Sequence, residues 1–181
     1  MASEDITIRT STARDKSGIQ TIYLHAFPET ENETIVKLVT ELLSLKASKP
    51  VVDLLAETKD EAAGHIIFSP VTIDGAEDIQ AYILAPLGVK PEYQRLGIGS
   101  RLIEHGLKAL TDMSVDIVFV YGDPEYYGRF GFSADTALHF MAPYELEYPY
   151  GWQAFKIKPF DIETSPATIT CVPPLSDPKL W

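Results

Sequence analysis

Ala81–Leu110, AYILAPLGVKPEYQRLGIGSRLIEHGLKAL, is the stretch that decides the fold. Tyr82, Ile83, Leu84, Leu87 and Val89 form an apolar, partly β-branched run, as in a strand buried on both faces. Pro91 ends it. The run Gln94 to Ser100 then leads into a helix with Ile98, Leu102, Ile103, Leu107 and Leu110 on one side. Glu104 and Lys108 sit four apart on the other side, in the favourable order.

The chemistry of this stretch lies where the helix begins. A first helical turn leaves backbone N–H groups without intrahelical partners, and the helix dipole adds partial positive charge there. Gly97 and Gly99 lack a Cβ, so a bulky anion can approach the backbone. Arg95 adds a fixed charge and Ser100 a hydroxyl. Together they form a cradle for phosphate or pyrophosphate. A bare G-x-G can also serve close packing alone. The spacing excludes two common phosphate loops. No Gly-Lys-Ser/Thr follows, so this is not a Walker loop. Gly97 lies eight positions after Val89 and position 102 is Leu, so the dinucleotide fingerprint does not fit either.

Gln94-Arg95-Leu96-Gly97-Ile98-Gly99 resembles the Q/R-x-x-G-x-G/A signature of the GCN5-related N-acetyltransferase (GNAT) superfamily at every fixed position. The wording from Pro86 to Gly99 is similar to one branch of it, the YhbS-like predicted acetyltransferases. A second segment, Gly122 to Phe132, resembles the superfamily's F-Y-x-x-x-G-F, in which a short helix carries a tyrosine. The resemblance spans roughly residues 5–135 and implies acetyl-CoA as cosubstrate, with no metal. It implies that Gln94, Arg95, Leu96, Gly97, Ile98, Gly99 and Ser100 hold the pyrophosphate. It further implies that Leu87, Gly88 and Val89 run along the pantetheine arm, and that Tyr127 protonates the departing thiolate. Asp123 is the polar residue nearest to the family's Asn after the fifth strand. Dimers are common in the family, so a homodimer is an expectation by resemblance.

Around this centre the chain reads in order. Ile6 to Arg9 alternates as a short strand. Thr12 and Asp15 form a capping-box pair before a helix bearing Ile19, Ile22, Tyr23, Ala26 and Phe27. Pro28 breaks it. Thr30 to Glu33 reads as a second capping box, followed by Ile35, Leu38, Val39, Leu42 and Leu43 at helical spacing. Val51–Glu57 and Ala62–Val71 are strands around a hairpin turn at Thr58-Lys59-Asp60-Glu61. Ile117–Tyr121 is an apolar strand, and strand–helix–strand at this distance implies a parallel pair with a crossover helix. Asp123 caps a short helix opening at Pro124. Thr136–Met141 and Trp152–Ile157 read as the last two strands. The fold expected is a mixed α/β (α+β), GNAT-like one. Its sheet, mostly antiparallel, has about seven strands with the fourth and fifth parallel, flanked by about four helices. Residues 1–158 are expected to form one domain, with 159–181 a Pro-rich tail that is not a separate domain but an extended segment laid on it or partly disordered.

Acyl transfer to a primary amine by direct attack also needs a route for the amine's proton. Ile83 to Val89 holds no ionisable residue. His65 is the candidate base, because His65, Ile67 and Ser69 share a strand face that could line a cleft. Glu29, Glu145 and Glu147 are alternatives through water, and an amine arriving neutral would need no base. The absence of an acid on the fourth strand keeps open a non-catalytic acyl-CoA-binding module. Tyr144, Tyr148, Tyr150 and Trp152 are candidates to shape an acceptor pocket.

Composition narrows the partners. At 181 residues with 45% hydrophobic and 23% charged residues, the chain suits an ordinary globular fold. No apolar run reaches the roughly 18–20 residues of a membrane span. The N-terminal residues carry no apolar leader, and one cysteine fits a reducing compartment, so a cytoplasmic location is expected. A net charge of −11 without a basic stripe argues against nucleic acid. The partner expected is a small-molecule or peptide amine. The four histidines show no metal-ligand spacing.

Overall fold

The structure is a computed structural model, and it describes residues 5–59, 61–161 and 166–181. In chain order the strands are β1 (Thr7–Arg9), β2 (Val52–Glu57), β3 (Ala62–Ile73), β4 (Ala81–Val89), β5 (Ile117–Tyr121), β6 (Phe140–Met141), β7 (Trp152–Lys156) and β8 (Ala167–Cys171). The α-helices are α1 (Lys16–Ala26), α2 (Asn32–Leu43), α3 (Ile98–Asp112), α4 (Pro124–Gly128) and α5 (Ala134–Ala137).

The eight strands run β1-β2-β3-β4-β5-β7, with β8 on β3 and β6 on β8. β4 and β5 are parallel, from Ala81↔Ile117 to Leu84↔Val120, as the strand–helix–strand spacing predicts. β1–β2, β2–β3 and β5–β7 are antiparallel. The mixed, mostly antiparallel sheet with one parallel central pair is the expected fold. The chain divides into two compact units, Met1–Phe68 with Pro86–Ala109, and Ser69–Ala85 with Leu110–Trp181.

In the first unit, α1 buries Ile19, Ile22 and Tyr23, and α2 buries Leu38, Val39 and Leu42. These are the positions the 3.6-residue period picks out. The turn before α1 is pinned by Asp15, whose carboxylate accepts from the Thr12 N–H at 2.7 Å and from its hydroxyl at 2.9 Å. The same carboxylate pairs with Arg9, which also pairs with Glu57. The second capping box does not form. α2 starts at Asn32 with Glu31 as N-cap and no side-chain cap. Asn32 instead donates backward to the Leu24 carbonyl at 3.0 Å, tying the end of α1 to the start of α2. The hairpin turn read at Thr58–Glu61 includes Asp60, which lies outside the described residues.

In the second unit, Phe119 stacks on Trp152 with centroids 5.2 Å apart, and Phe140 meets Phe119 edge-on. The Trp152 indole donates to the Phe140 carbonyl at 2.8 Å. The strand read over Thr136–Met141 is corrected here. Ser133 accepts from the Thr136 N–H at 3.1 Å and caps the helical turn α5, leaving only Phe140–Met141 extended. A capping serine stabilises the first turn by about 1 kcal/mol, which outweighs a short alternating pattern. The Pro-rich segment supplies an unexpected strand, β8, antiparallel to β3 and parallel to β6.

Candidate functional site

The loop after β4 is clamped from two sides. Lys90 is only 4% exposed, and its ammonium pairs with the Glu61 carboxylate. The Tyr93 hydroxyl donates to the other Glu61 oxygen at 2.9 Å. The Lys90 ammonium, then the Tyr93 hydroxyl, hold the Glu61 carboxyl below its usual pKa. Gln94 reaches back to the Val89 carbonyl at 3.1 Å. Just after these anchors the backbone takes two left-handed steps, φ 63° at Arg95 and φ 77° at Gly97. For arginine that conformation is unfavourable by about 1 kcal/mol. Alternating left-handed residues turn successive N–H groups toward one concavity, an anion nest.

A Cβ placed on Gly97 would meet no atom within 4 Å, so the space over it is open. α3 opens at Ile98, and its first intrahelical bond runs from the Arg101 N–H to the Gly97 carbonyl. The N–H groups of Ile98, Gly99 and Ser100 precede that bond and have no partner within the helix. Gln94, Arg95, Leu96 and Gly97 are exposed, Gly99 and Ser100 half-buried, and Ile98 is buried as an anchor. The seven residues read from sequence as an anion cradle form one continuous loop and helix start.

β4 continues past its ladder with β5, which ends at Leu84. Leu87, Gly88 and Val89 lie in that continuation. Gly88 is packed against α1: a Cβ there would stand 2.9 Å from the Tyr23 ring. The Tyr23 hydroxyl lies 3.0 Å from His65 Nδ1, 3.1 Å from the His65 carbonyl and 3.3 Å from the Pro86 carbonyl. His65 Nε2 faces Asp53 Oδ1 at 3.4 Å.

His65 is therefore not on an open cleft. It is 0% exposed, and burial lowers its pKa although Asp53 pulls the other way. The neutral ring presents Nε2–H to Asp53 and accepts the Tyr23 proton at Nδ1. Neither Tyr23 nor Asp53 stands out in the sequence. The only trace is Tyr23 on the apolar face of its helix, because the three residues meet through tertiary packing.

In the second unit, Asp123 accepts from the Glu125 N–H at 2.9 Å and caps α4. Its carboxylate is engaged in that cap. Tyr127, half-buried, packs on Gly122, where a Cβ would come within 2.5 Å of its ring. Tyr126 meets it edge-on at 5.1 Å, and Phe132 at 6.0 Å. Burial, then Tyr126 and Asp123, raise the Tyr127 pKa well above that of an ordinary phenol. The group stays protonated at neutral pH. Trp152 is buried in the core, while Tyr148 and Tyr150 are exposed. Glu29, Glu145 and Glu147 are exposed as well. No group of three or more potential metal ligands occurs among the described residues. Among them, too, no helix is long and apolar enough to cross a membrane.

A glycine-rich nest opening α3 at the end of a β4 paired in parallel with β5, with a capped tyrosine helix after β5, defines an acyl-CoA N-acyltransferase type of fold. Residues 7–134 match the family described as "Acetyltransferase (GNAT) domain". The chain is 36% identical over 148 residues to the uncharacterized N-acetyltransferase YjhQ of Escherichia coli, covering 81% of this chain and 80% of that protein. It is 34% identical over 127 residues to the uncharacterized N-acetyltransferase YhbS of the same organism, covering 69% and 72%. Among solved structures, Escherichia coli YhbS in complex with CoA superposes with a TM-score of 0.82 at 24% identity, over 96% of this chain and 93% of that one. A GNAT family acetyltransferase from Brucella melitensis in complex with acetyl-CoA gives 0.71 at 31% identity, over 90% and 94%. The chain belongs to the GNAT acetyltransferase family and is an enzyme of the acyltransferase class.

Proposed function

We propose that the chain transfers an acetyl group from acetyl-CoA to a primary amine, carried by a small molecule or a peptide, by direct attack in a ternary complex. The observation that carries this reading is the nest at Arg95–Gly97, open above Gly97 and continuous with the N-terminus of α3. Its charge and its free N–H groups suit a pyrophosphate. The acetyl-CoA held by the Brucella melitensis relative supports the same assignment.

In this reading Gln94–Ser100 grips the pyrophosphate, and the backbone of Leu87, Gly88 and Val89 pairs with the pantetheine arm. The amine nitrogen attacks the thioester carbon, the C–N bond forms and the C–S bond breaks. Tyr127 gives its proton to the leaving sulfur, and water returns one to the phenolate from the acylated ammonium. Ile83 to Val89 offers no base, so the amine reacts in its neutral form. His65, sealed between Asp53 and Tyr23, contributes by holding Tyr23 against Pro86 and Gly88, not by touching the amine. Asp123 acts through the cap of α4.

Calorimetric titration with acetyl-CoA tests the cradle, with Gly97→Glu as the control. The wild type is expected to bind in the micromolar range. Gly97→Glu, which adds a negative charge and a Cβ at positive φ, should lose at least about 100-fold. Free-thiol release with a panel of primary amines then tests turnover. Absence of acetyl-CoA binding by the wild type would overturn the proposal.

A further inference from the structure

A separate cavity of about 320 Å³ lies in the first unit, at the Ser11–Ala13 turn, α1, the C-terminal part of α2 and the start of β2. No residue of the Gln94–Ser100 cradle lines it. Its volume falls at the lower end of small-molecule sites, roughly 300–1,000 Å³.

One flank is aliphatic, with Ile19, Val39 and Leu43. Ile19 and Val39 are buried core residues. The other flank carries Asp53, largely buried, whose Oδ1 accepts from the Ser11 N–H at 3.2 Å and faces His65 at 3.4 Å. Burial pulls the Asp53 pKa up, but the hydrogen bonds from His65 and Ser11 outweigh it and the carboxyl ends below its usual value. Since His65 is held neutral, it does not cancel the carboxylate's charge.

The remaining polar wall is largely engaged within the protein, Thr40 Oγ1 also accepting from the Gln20 side-chain amide at 3.3 Å. The Thr40 hydroxyl donates to the Val36 carbonyl at 2.8 Å, and the Ser44 hydroxyl to the Thr40 carbonyl at 2.9 Å. Lys16, exposed, is the one cation among the described residues that line the cavity. The cavity thus offers one buried anion, one cation and an aliphatic surface.

We propose that this cavity binds a small aliphatic amino acid as its zwitterion, with the ammonium on Asp53, the carboxylate on Lys16 and the side chain against Ile19, Val39 and Leu43. Charge-assisted hydrogen bonds at both ends favour the zwitterion over molecules bearing either charge alone. The site is distinct from the cradle and does not depend on acyl transfer.

The test is calorimetric titration of the full chain, without acetyl-CoA, using three probes of one shape: L-leucine, 3-methylbutylamine and 4-methylpentanoate. Leucine should bind at least about tenfold tighter than either single-charge probe, the worth of one charged hydrogen bond. Lys16→Met should bring leucine down to the level of the amine. Ser44→Trp, at an exposed helix end, should fill the mouth and abolish leucine binding while the melting temperature stays unchanged. The proposal is overturned if the wild type does not bind leucine. It is equally overturned if Ser44→Trp or Lys16→Met, folded by its melting curve, binds leucine as the wild type does.

Discussion

Tyr127 and His65 are both aromatic, titratable and shifted by burial, yet they are placed for different work. Tyr127 is half-buried and kept neutral beside Gly122, Tyr126 and Asp123. If it is the proton donor, Tyr127→Phe should lower kcat by about 10²-fold or more while the dissociation constant for acetyl-CoA holds. Equal losses in binding and turnover would instead make the ring a packing group. His65 is sealed among Tyr23, Asp53 and the nearby charge of Asp15. A base whose pKa is lowered on folding takes up protons more readily in the unfolded chain. Folding stability should therefore decline as pH falls through the imidazole's ordinary value of 6.5. This lies above the carboxylate range, so the two contributions separate. Chemical denaturation from about pH 7.5 to about pH 5 should show the slope, and His65→Gln should flatten it. A slope unchanged by that substitution would assign it to other groups.

At the level of elements, the β4–α3 connection shows how a motif becomes a shape. The sequence displays two glycines and an arginine; in the structure the left-handed backbone at Arg95 and Gly97 follows a segment pinned at Lys90, Tyr93 and Gln94. Glu61, from the neighbouring strand connection, holds Lys90 and Tyr93 together. Glu61→Gln should leave a buried ammonium poorly paired, weaken acetyl-CoA binding and lower the melting temperature. The same clamp predicts a pH dependence. Glu61's pKa is depressed on folding, so its contribution is present above its ordinary value of 4.5 and is lost as pH falls through the lower folded value. Binding that survives unchanged in Glu61→Gln would show the loop holds its shape without the clamp. Ser133 teaches the converse lesson: one hydroxyl at a cap turned an alternating run into a helical turn.

Across the whole molecule, β8 is the element most at odds with expectation. Ala167, Ile169 and Cys171 are buried along it, and Leu175 follows. The Cys171 thiol is pushed up to about 12 by burial and is inert as a nucleophile. Beyond it, the Trp181 ring stacks on Tyr121 and meets Tyr144 and Trp152, while its indole donates to the Leu175 carbonyl at 3.0 Å. Truncation after Lys158 should expose the β3 edge at Val71–Ile73 and strip this cluster. Each large apolar side chain uncovered removes roughly 1.5–3 kcal/mol, so the shortened chain should be aggregated or melt far lower. A truncated chain with an unchanged melting curve would mean that β8 and the Trp181 cluster add nothing to stability.

What the sequence determined by itself was what rests on local chemistry. The apolar run of β4, the period of α1, α2 and α3, the Asp123 cap and the glycines before α3 all follow from neighbours within a few positions. From them came the parallel β4–β5 pair and the family. Tertiary structure alone decided the rest. It joined Asp53, His65 and Tyr23 across separations of 12 and 42 residues, and Glu61 to Lys90 across 29. It drew a Pro-rich segment with no clear period into the sheet as β8. The physical reason is that burial and pairing between distant segments depend on which backbone groups and cavities the folded sheet leaves to be filled, and no local pattern encodes that.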